Sequence, residues 1–372
     1  MINVLSIAPY RYLPAVTGGQ KNIALFYQYL SKHVNLTCAS VKNNSVDNAA
    51  AYQQISLFSN SALRYINPFY FFSLKRIIKE QNITHVMLEH PYYGWLGYLL
   101  KKFVTVKLII HSHNIEGIRF KSLGKWWWRL LWSYEKLIHR CADLSFFITE
   151  EDHQYALANF KLPEEKCAVI TYGTEHAKTY TFEEKQKAKL LICQTHRINP
   201  STPLLLYSAA LGYGPNLNGL DFILEKVTPS LLEHKFDFNI IICGGGLPEK
   251  YNNLSSYHSS HITYAGFVED ISIYFKAADI FLNPISEGGG IKTKLVEALA
   301  ASDTAISFQT GAIGIPQNVA GSKLLVSPDK DIHSFFKNLE TALTDTPNTI
   351  PSSFFNYFYW GKIAEKAAGK MA

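Results

Sequence analysis

Apolar residues along this chain gather in short β-rich runs, and stretches with helical periodicity separate them. In the first half the runs predict strands at Asn3–Ile7, Leu36–Val41, His85–Leu88, Lys107–His111, Leu144–Ile148 and Ala168–Thr171. Between them the periodicity predicts helices near Gln20–Ser31, Phe69–Glu80, Lys125–Arg140 and Glu150–Ala158. A polar stretch over 173–200 then breaks the rhythm; it carries the charged run Glu183–Lys189 and ends in Asn199-Pro200. Beyond it the alternation restarts, with strands at Leu204–Tyr207, Asn239–Cys243, His261–Tyr264, Ile280–Leu282, Thr304–Ser307 and Lys323–Val326. Helices are expected there over Leu217–Leu232, Ile271–Ala277 and Ile291–Ala300.

Strand–helix alternation of this kind implies an α/β fold with parallel sheets covered by helices. The break at 173–200 implies two domains, one over 1–178 and one over 200–350, expected to face each other across a cleft. The aromatic run Phe354–Trp360 is too apolar for a free tail, so the helix over about 353–372 is expected to pack back on the first domain.

Composition narrows the class. An apolar content of 47% excludes general disorder, and a formal charge of +6 is too mild to argue for nucleic acid. The five cysteines form no CxxC pair, which points to a reducing, cytoplasmic compartment. The first residues lack the basic leader of a secretory signal, and no apolar run approaches the roughly 20 residues that span a bilayer.

Ser286–Ala300 carries the most pointed chemistry. Gly288-Gly289-Gly290 follow a strand and, through Ile291, open a helix whose free N–H groups favour an anion. Lys292 and Lys294 add mobile positive charge, and Glu297 lies on the same helix face as Lys294. A nucleotide diphosphate bound to a sugar needs such an anion cradle with a hydroxyl-binding carboxylate beside it. The plainer reading is a glycine-rich helix cap with solvated lysines.

Weaker signals sit at other strand ends. Gly18-Gly19 precede a helix and could receive phosphate, though their spacing is not that of a dinucleotide fingerprint. Glu89-His90 and the cluster His113-Asn114-Ile115-Glu116 close two strands, where α/β proteins place their chemistry. A metal site needs three or four converging ligands, which His111 and His113 alone do not supply, so no metal is expected. Gly245 could admit a ring or phosphate to the backbone, and the main chain around Val268 could meet a base edge, with Asp270 as a helix N-cap. The segment 119–140 holds four tryptophans and six Lys or Arg against Glu135 alone, which suits an anionic membrane surface. A core helix with outward lysines is its plain alternative, and no nucleic-acid fold accompanies it.

Together these residues resemble the retaining family-4 group of GT-B glycosyltransferases, and the likeness covers nearly the whole chain. Gly18-Gly19, His113 to Glu116, Tyr207 to Asn218, Gly266 to Asn283 and Gly288 to Ala300 carry it. The resemblance implies two facing Rossmann-like domains with parallel sheets and a C-terminal crossover helix. It implies that the first domain takes the acceptor, with Glu89, His90, Asn114 and Glu116 on that side. Gly18 and Gly19 would contact the donor diphosphate, His113 would lie beside the donor sugar, Lys294 would meet phosphate, and Glu297 would grip the ribose. The family's two glutamates are eight positions apart, but here Gly289 stands eight before Glu297, and Glu287 two earlier is assigned the first glutamate's catalytic place. No cation occupies the loop Leu211–Asn216, where relatives carry two, so phosphate neutralisation falls on Lys292 and Lys294.

The implied activity is metal-independent, retaining transfer of a hexose from a UDP- or GDP-linked sugar to a glycan or lipid-linked glycan, without a further cofactor. It would operate in cell-envelope or exopolysaccharide synthesis at the inner face of the plasma membrane. Two rivals are a nucleotide-sugar epimerase on the same fold and a non-catalytic glycan-binding or scaffold module.

Overall fold

Short apolar runs become buried strands here because helices cover both faces of each sheet, leaving no solvated side to alternate with. The computed structural model describes residues 2–45, 51–344 and 348–372. The chain divides into two units, Met1–Glu175 with Phe358–Ala372, and His176–Tyr357.

The first unit contains strands β1 (Asn3–Ile7), β2 (Asn35–Val41), β3 (Gln53–Phe58), β4 (His85–Glu89), β5 (Lys107–Ser112), β6 (Leu144–Phe147) and β7 (Cys167–Val169). They pair in parallel in the order β3-β2-β1-β4-β5-β6-β7. Its helices are α1 (Gly18–Leu30), α2 (Tyr70–Glu80), α3 (Gly94–Val104), α4 (Glu116–Ser122), α5 (Trp128–Cys141) and α6 (Glu150–Tyr155). Leu74, Ile77, Leu96, Leu100 and Ile138 from α2, α3 and α5 share one core with Ile7, Leu88, Leu108 and Ile110. Those three helices therefore lie side by side on one face of the sheet. A Cβ on Gly97 would come within 2.8 Å of Leu88 and Leu108, and one on Gly94 within 2.5 Å of Ile138, so both glycines allow close helix approach. Truncating a core leucine such as Leu88 to alanine should cost about 2–5 kcal/mol.

The second unit contains β8 (Leu204–Ser208), β9 (Asn239–Cys243), β10 (Ile262–Gly266), β11 (Ile280–Asn283), β12 (Thr304–Phe308) and β13 (Leu324–Ser327), ordered β10-β9-β8-β11-β12-β13 and all parallel. Its helices are α7 (Phe182–His196), α8 (Gly214–Phe222), α9 (Thr228–Glu233), α10 (Ser272–Ala277), α11 (Thr293–Ala300), α12 (Gln317–Ala320), α13 (Ile332–Thr344) and α14 (Ser352–Phe358). The last helix, α15 (Trp360–Met371), belongs to the first unit and packs against α1. The main chain ties it there: Thr174 N–H donates to Phe358 O at 2.6 Å and Trp360 N–H to Thr174 O at 3.0 Å.

Several elements differ from the sequence expectation. The stretch 173–200, read as a boundary, contains the fifteen-residue helix α7. Thr181 and Glu184 form its capping box, and two ion pairs clamp it to the second unit: Lys185 Nζ to Asp303 at 2.7 Å and Lys189 Nζ to Asp279 at 2.6 Å. Strand β3 and helices α3, α4 and α13 had not been expected. The predicted helix Leu217–Leu232 is three pieces, since a π turn at Ile223–Val227 separates α8 from α9.

Candidate functional site

In the first sheet the chain leaves β1 toward β2 on one side, whereas β4 and β5 lie on the other, which makes the β1/β4 border a topological switch point. Three loops meet there. Parallel register sets Glu89 of β4 directly beside His111 of β5, and the His90 N–H donates to the His111 carbonyl at 2.9 Å. His90 holds the left-handed φ of +66°, a strained state for a non-glycine residue at a strand end.

The side chains form one buried network. His113 Nε2–H donates to Glu89 Oε2 at 2.7 Å. His111 Nδ1 stands 2.9 Å from the same oxygen without hydrogen-bond alignment. The Tyr10 hydroxyl hydrogen-bonds His90 Nε2 at 3.0 Å, while His90 Nδ1 stands 3.3 Å from Glu116 Oε1 without hydrogen-bond alignment. Glu116 also accepts from Tyr92 at 2.7 Å and Arg119 at 2.9 Å. Helix α1 closes over the group: Asn22 Nδ2 lies 3.4–3.5 Å from the His113 ring nitrogens, and a Cβ on Gly19 would sit 3.8 Å from the Tyr10 hydroxyl.

Burial opposes the Glu89 charge, but the adjoining imidazoles more than offset it and hold the carboxyl well below its usual range. Burial pushes the His113 imidazolium down to about 3, with His90 reinforcing it, so the ring is neutral near pH 7. With its Nε2 proton committed to Glu89, His113 keeps Nδ1 as an acceptor beside Asn22 Nδ2 at 3.5 Å, and a hydroxyl suits that acceptor better than an anion does. Glu116 is held near 2; burial raises it, and His90, Tyr92 and Arg119 outweigh burial. Glu89, His111 and His113 are also a conceivable His₂Glu metal set, with donor atoms all within 4.8 Å of one another. The contacts of 2.7–2.9 Å are hydrogen-bond spacings, however. Ligands bound at 2.0–2.1 Å to a tetrahedral ion would stand roughly 3.3 Å apart.

The second sheet repeats the topology with different chemistry. Its switch point lies between β8 and β11, and the glycine loop follows β11. Gly288 and Gly290 take φ of +86° and +70°, values that favour glycine, and a Cβ on Gly289 would meet nothing within 4 Å. No side chain caps α11, so backbone N–H groups of its first turn face the loop as donors. Lys294 Nζ pairs with Glu297 Oε2 at 2.8 Å and lies 5.6 Å from the Phe275 ring centre. Lys292 is not the mobile charge expected. Its Nζ folds back to the carbonyls of Gly290, Gly289 and Gly288 at 2.9, 3.2 and 3.5 Å, and burial lowers its pKa to about 8.

Other predicted positions fall as follows. Gly18 and Gly19 begin α1 itself, behind a capping box formed by Thr17 and Gln20. Asn114 is half-buried, and its carbonyl accepts from Ser112 Oγ at 2.9 Å. Glu287 is exposed and pairs with Lys330 at 3.8 Å, not with Lys294. Gly245 serves the fold, its carbonyl accepting from Leu211 N–H at 2.9 Å. Its neighbour Gly244 must be glycine because a Cβ there would lie 1.8 Å from Ala209 O. Val268 is half-buried beside exposed Phe267, whose own Cβ would lie 3.6 Å from a Gly245 Cβ. Asp270 accepts from the Ser272 N–H at 2.9 Å, but the N-cap of α10 is Ile271, one residue after the expected position.

Sequence reasoning missed three contributors. Tyr10 and Tyr92 brace the histidine network, and exposed Tyr213 reaches toward Gly288, its hydroxyl 3.7 Å from a Cβ placed there. Their signal was only aromatic residues in strand-end loops, which this tyrosine-rich chain repeats too often to discriminate.

Two parallel switch-point sheets, one with a histidine–carboxylate network and the other with a glycine-rich helix start, define a GT-B glycosyltransferase of the group 1 type. Residues 202–345 match the family described as "Glycosyl transferases group 1" and residues 32–178 match "Glycosyltransferase Family 4"; the chain belongs to this family. The chain is 26% identical over 135 residues to an uncharacterized 44.6 kDa protein in the cps region of Klebsiella pneumoniae, a match covering 33% of this chain and 34% of that protein. It is 23% identical over 274 residues to the O-antigen biosynthesis glycosyltransferase WbnH of Escherichia coli, covering 72% of this chain and 70% of that one. Among solved structures it superposes on Anabaena Alr3699/HepE in complex with UDP with a TM-score of 0.72, at 13% identity, over 100% of this chain and 99% of that one.

Proposed function

We propose that this chain is a retaining, metal-independent hexosyltransferase. It would move the sugar of a nucleoside-diphosphate sugar, UDP- or GDP-linked, to a hydroxyl of a glycan or lipid-linked glycan. The setting would be cell-envelope polysaccharide assembly at the cytoplasmic face. The observation that carries this reading is the α11 N-terminus, which no side chain caps and which opens beneath Gly288–Gly290 with Lys294 in its first turn. Negative charge develops on the departing diphosphate, and preoriented N–H dipoles with the Lys294 ammonium stabilise it where it appears. Glu297, now paired with Lys294, accepts from the ribose hydroxyls once phosphate takes the lysine. In the first unit, the first-turn N–H groups of Gly18 and Gly19 are suited to phosphate. Neutral His113 orients a sugar hydroxyl through Nδ1 and does not act as the base.

In the transfer the anomeric carbon–diphosphate bond breaks. The acceptor oxygen bonds to the same face of that carbon, and the acceptor proton passes to the leaving phosphate oxygen. The WbnH likeness supports the polysaccharide setting, and the nucleotide in the HepE structure supports the donor class. Thermal shift with UDP, GDP and their sugars tests donor binding, since a bound ligand raises apparent stability. Product NMR should give the donor's anomeric configuration, and activity should survive chelator. An inverted product, or activity that returns only with a divalent ion, would remove those parts of the reading. Conversion of donor without acceptor would make the protein an epimerase.

A further inference from the structure

One face of the first unit is both greasy and strongly basic. Among the described residues of this unit eleven large apolar side chains are exposed, and ten of them lie between Leu63 and Leu137. They sit on the 3₁₀ turn Ala62–Ile66, on α2 and the residue before it, on α3, in the link 123–127 between α4 and α5, and on α5. These elements adjoin: Phe71 and Phe103 rings lie 6.3 Å apart, Trp95 Nε1 donates to Tyr65 O at 2.8 Å, and Tyr134 accepts from Trp95 N–H at 2.9 Å. The outermost residues are Trp126 (88% exposed), Leu130 (75%), Phe69 (72%) and Ile66 (71%).

Charge concentrates on the same elements. Residues 61–141 contain thirteen Lys and Arg against four Glu, a net of +9 where the whole chain has +6. Three of those carboxylates, Glu89, Glu116 and Glu135, are buried. Glu80 is the fourth, paired with Arg76 at 3.6 Å. Lys121 and Arg129 flank the Trp128 ring at 5.0 and 5.4 Å, and Lys102 stands 5.7 Å from the Phe103 ring.

We infer that the α2–α3–α5 face of the first unit docks on an anionic lipid bilayer, with Phe69, Phe72, Trp126 and Leu130 entering the headgroup zone and the surrounding cations meeting phosphate. Exposed rings and leucines flanked by lysine suit an interface that is apolar below and anionic above. A second copy of the chain would set like charge against like charge. Single-stranded nucleic acid binds in a basic groove, and these side chains project from helix surfaces. Among the described residues no helix is long and apolar enough to cross a membrane, so the contact is peripheral. The inference extends well beyond the tryptophan segment, because the 3₁₀ turn and the α2 and α3 region carry six of those ten exposed side chains. It does not depend on the transfer chemistry.

Flotation of the full chain with vesicles needs neither donor nor acceptor, so its outcome is separate from that of the proposed activity. Each cation held at an anionic surface is worth about fivefold in partition. Vesicles of phosphatidylcholine with one third phosphatidylglycerol should therefore recover at least about tenfold more protein than phosphatidylcholine alone, and salt should abolish the difference. The pairs Phe69→Ser/Phe72→Ser and Trp126→Ser/Leu130→Ser should each reduce recovery several-fold at unchanged melting temperature, since all four side chains already face solvent. Equal recovery on the two vesicle types would overturn the inference. So would wild-type flotation by the Phe69→Ser/Phe72→Ser variant, or tight oligonucleotide binding without flotation.

Discussion

The switch points of the two sheets share a topology and build opposite kinds of site. In the first unit, side chains from three loops form a buried network in which Glu89 and Glu116 are anchored by histidine, tyrosine and arginine. In the second, the backbone predominates: three glycines, an uncapped helix start, and a lysine folded onto loop carbonyls. A side-chain network fixes a tautomer and a direction, which suits discrimination among neutral hydroxyls. A backbone cradle offers several N–H donors with little steric demand, which suits a bulky polyanion. The topology therefore dictates where chemistry gathers, and the loop residues dictate which chemistry it is.

The sharpest test of this contrast is Lys294→Ala, which removes the ammonium carried by the first turn of α11. Turnover should fall at least about tenfold with the melting temperature nearly unchanged. Normal turnover would take the lysine out of the mechanism. Glu89→Gln tests the other site. It removes the carboxylate that fixes the His113 tautomer, so kcat/KM should drop several-fold and its pH profile should shift, whereas a purely structural Glu89 would lower stability and leave the profile in place.

A third test concerns acid stability. Burial pushes the His139 imidazolium down to about 3, against 6.5 in the unfolded chain. The unfolded state therefore binds more protons between those values, and stability present above pH 6.5 is lost as pH falls. From pH 7 to pH 5 this one residue should cost up to about 2 kcal/mol in denaturant titrations, and His139→Leu should flatten that dependence. A variant with an unchanged slope would show that another group controls it. Smaller effects are expected at the glycine loop. Gly289→Ala has open space and should leave the melting temperature within about 1 °C while weakening UDP binding a few-fold. Glu287→Gln should lower turnover by a similar factor, less than Lys294→Ala does. Full activity of Glu287→Gln would remove that carboxylate from the site.

Much of this was legible in the chain. The strands nearest the two sites were found within a residue or two, because they are buried on both faces and read as continuous apolar runs. The edge strand β3, Gln-Gln-Ile-Ser-Leu-Phe, is half solvated and has no such signature. Helix α7 was hidden because its buried apolar face, Ala188, Ile192 and Cys193, is short and is blurred by apolar residues on its outer side. Phe182, Leu190 and Leu191 are exposed, and lysine–aspartate pairs hold its inner side. At the sites, residue types at strand ends pointed to Glu89, His113 and Lys294, but strand order was needed to set Glu89 against His111. The fold-back of Lys292 depends on carbonyls turned inward by two left-handed glycines, a backbone property that spacing does not report.

The return of α15 to the first unit has a consequence for synthesis. Trp360 is fully buried near Phe26 and Tyr172, and a Cβ on Gly173 would strike it and Ile363. The half of the protein that leaves the ribosome first thus lacks a piece of its own interior until residues 358–371 follow. His176–Tyr357 is contiguous and can mature ahead of it, which reverses the usual order of co-translational folding.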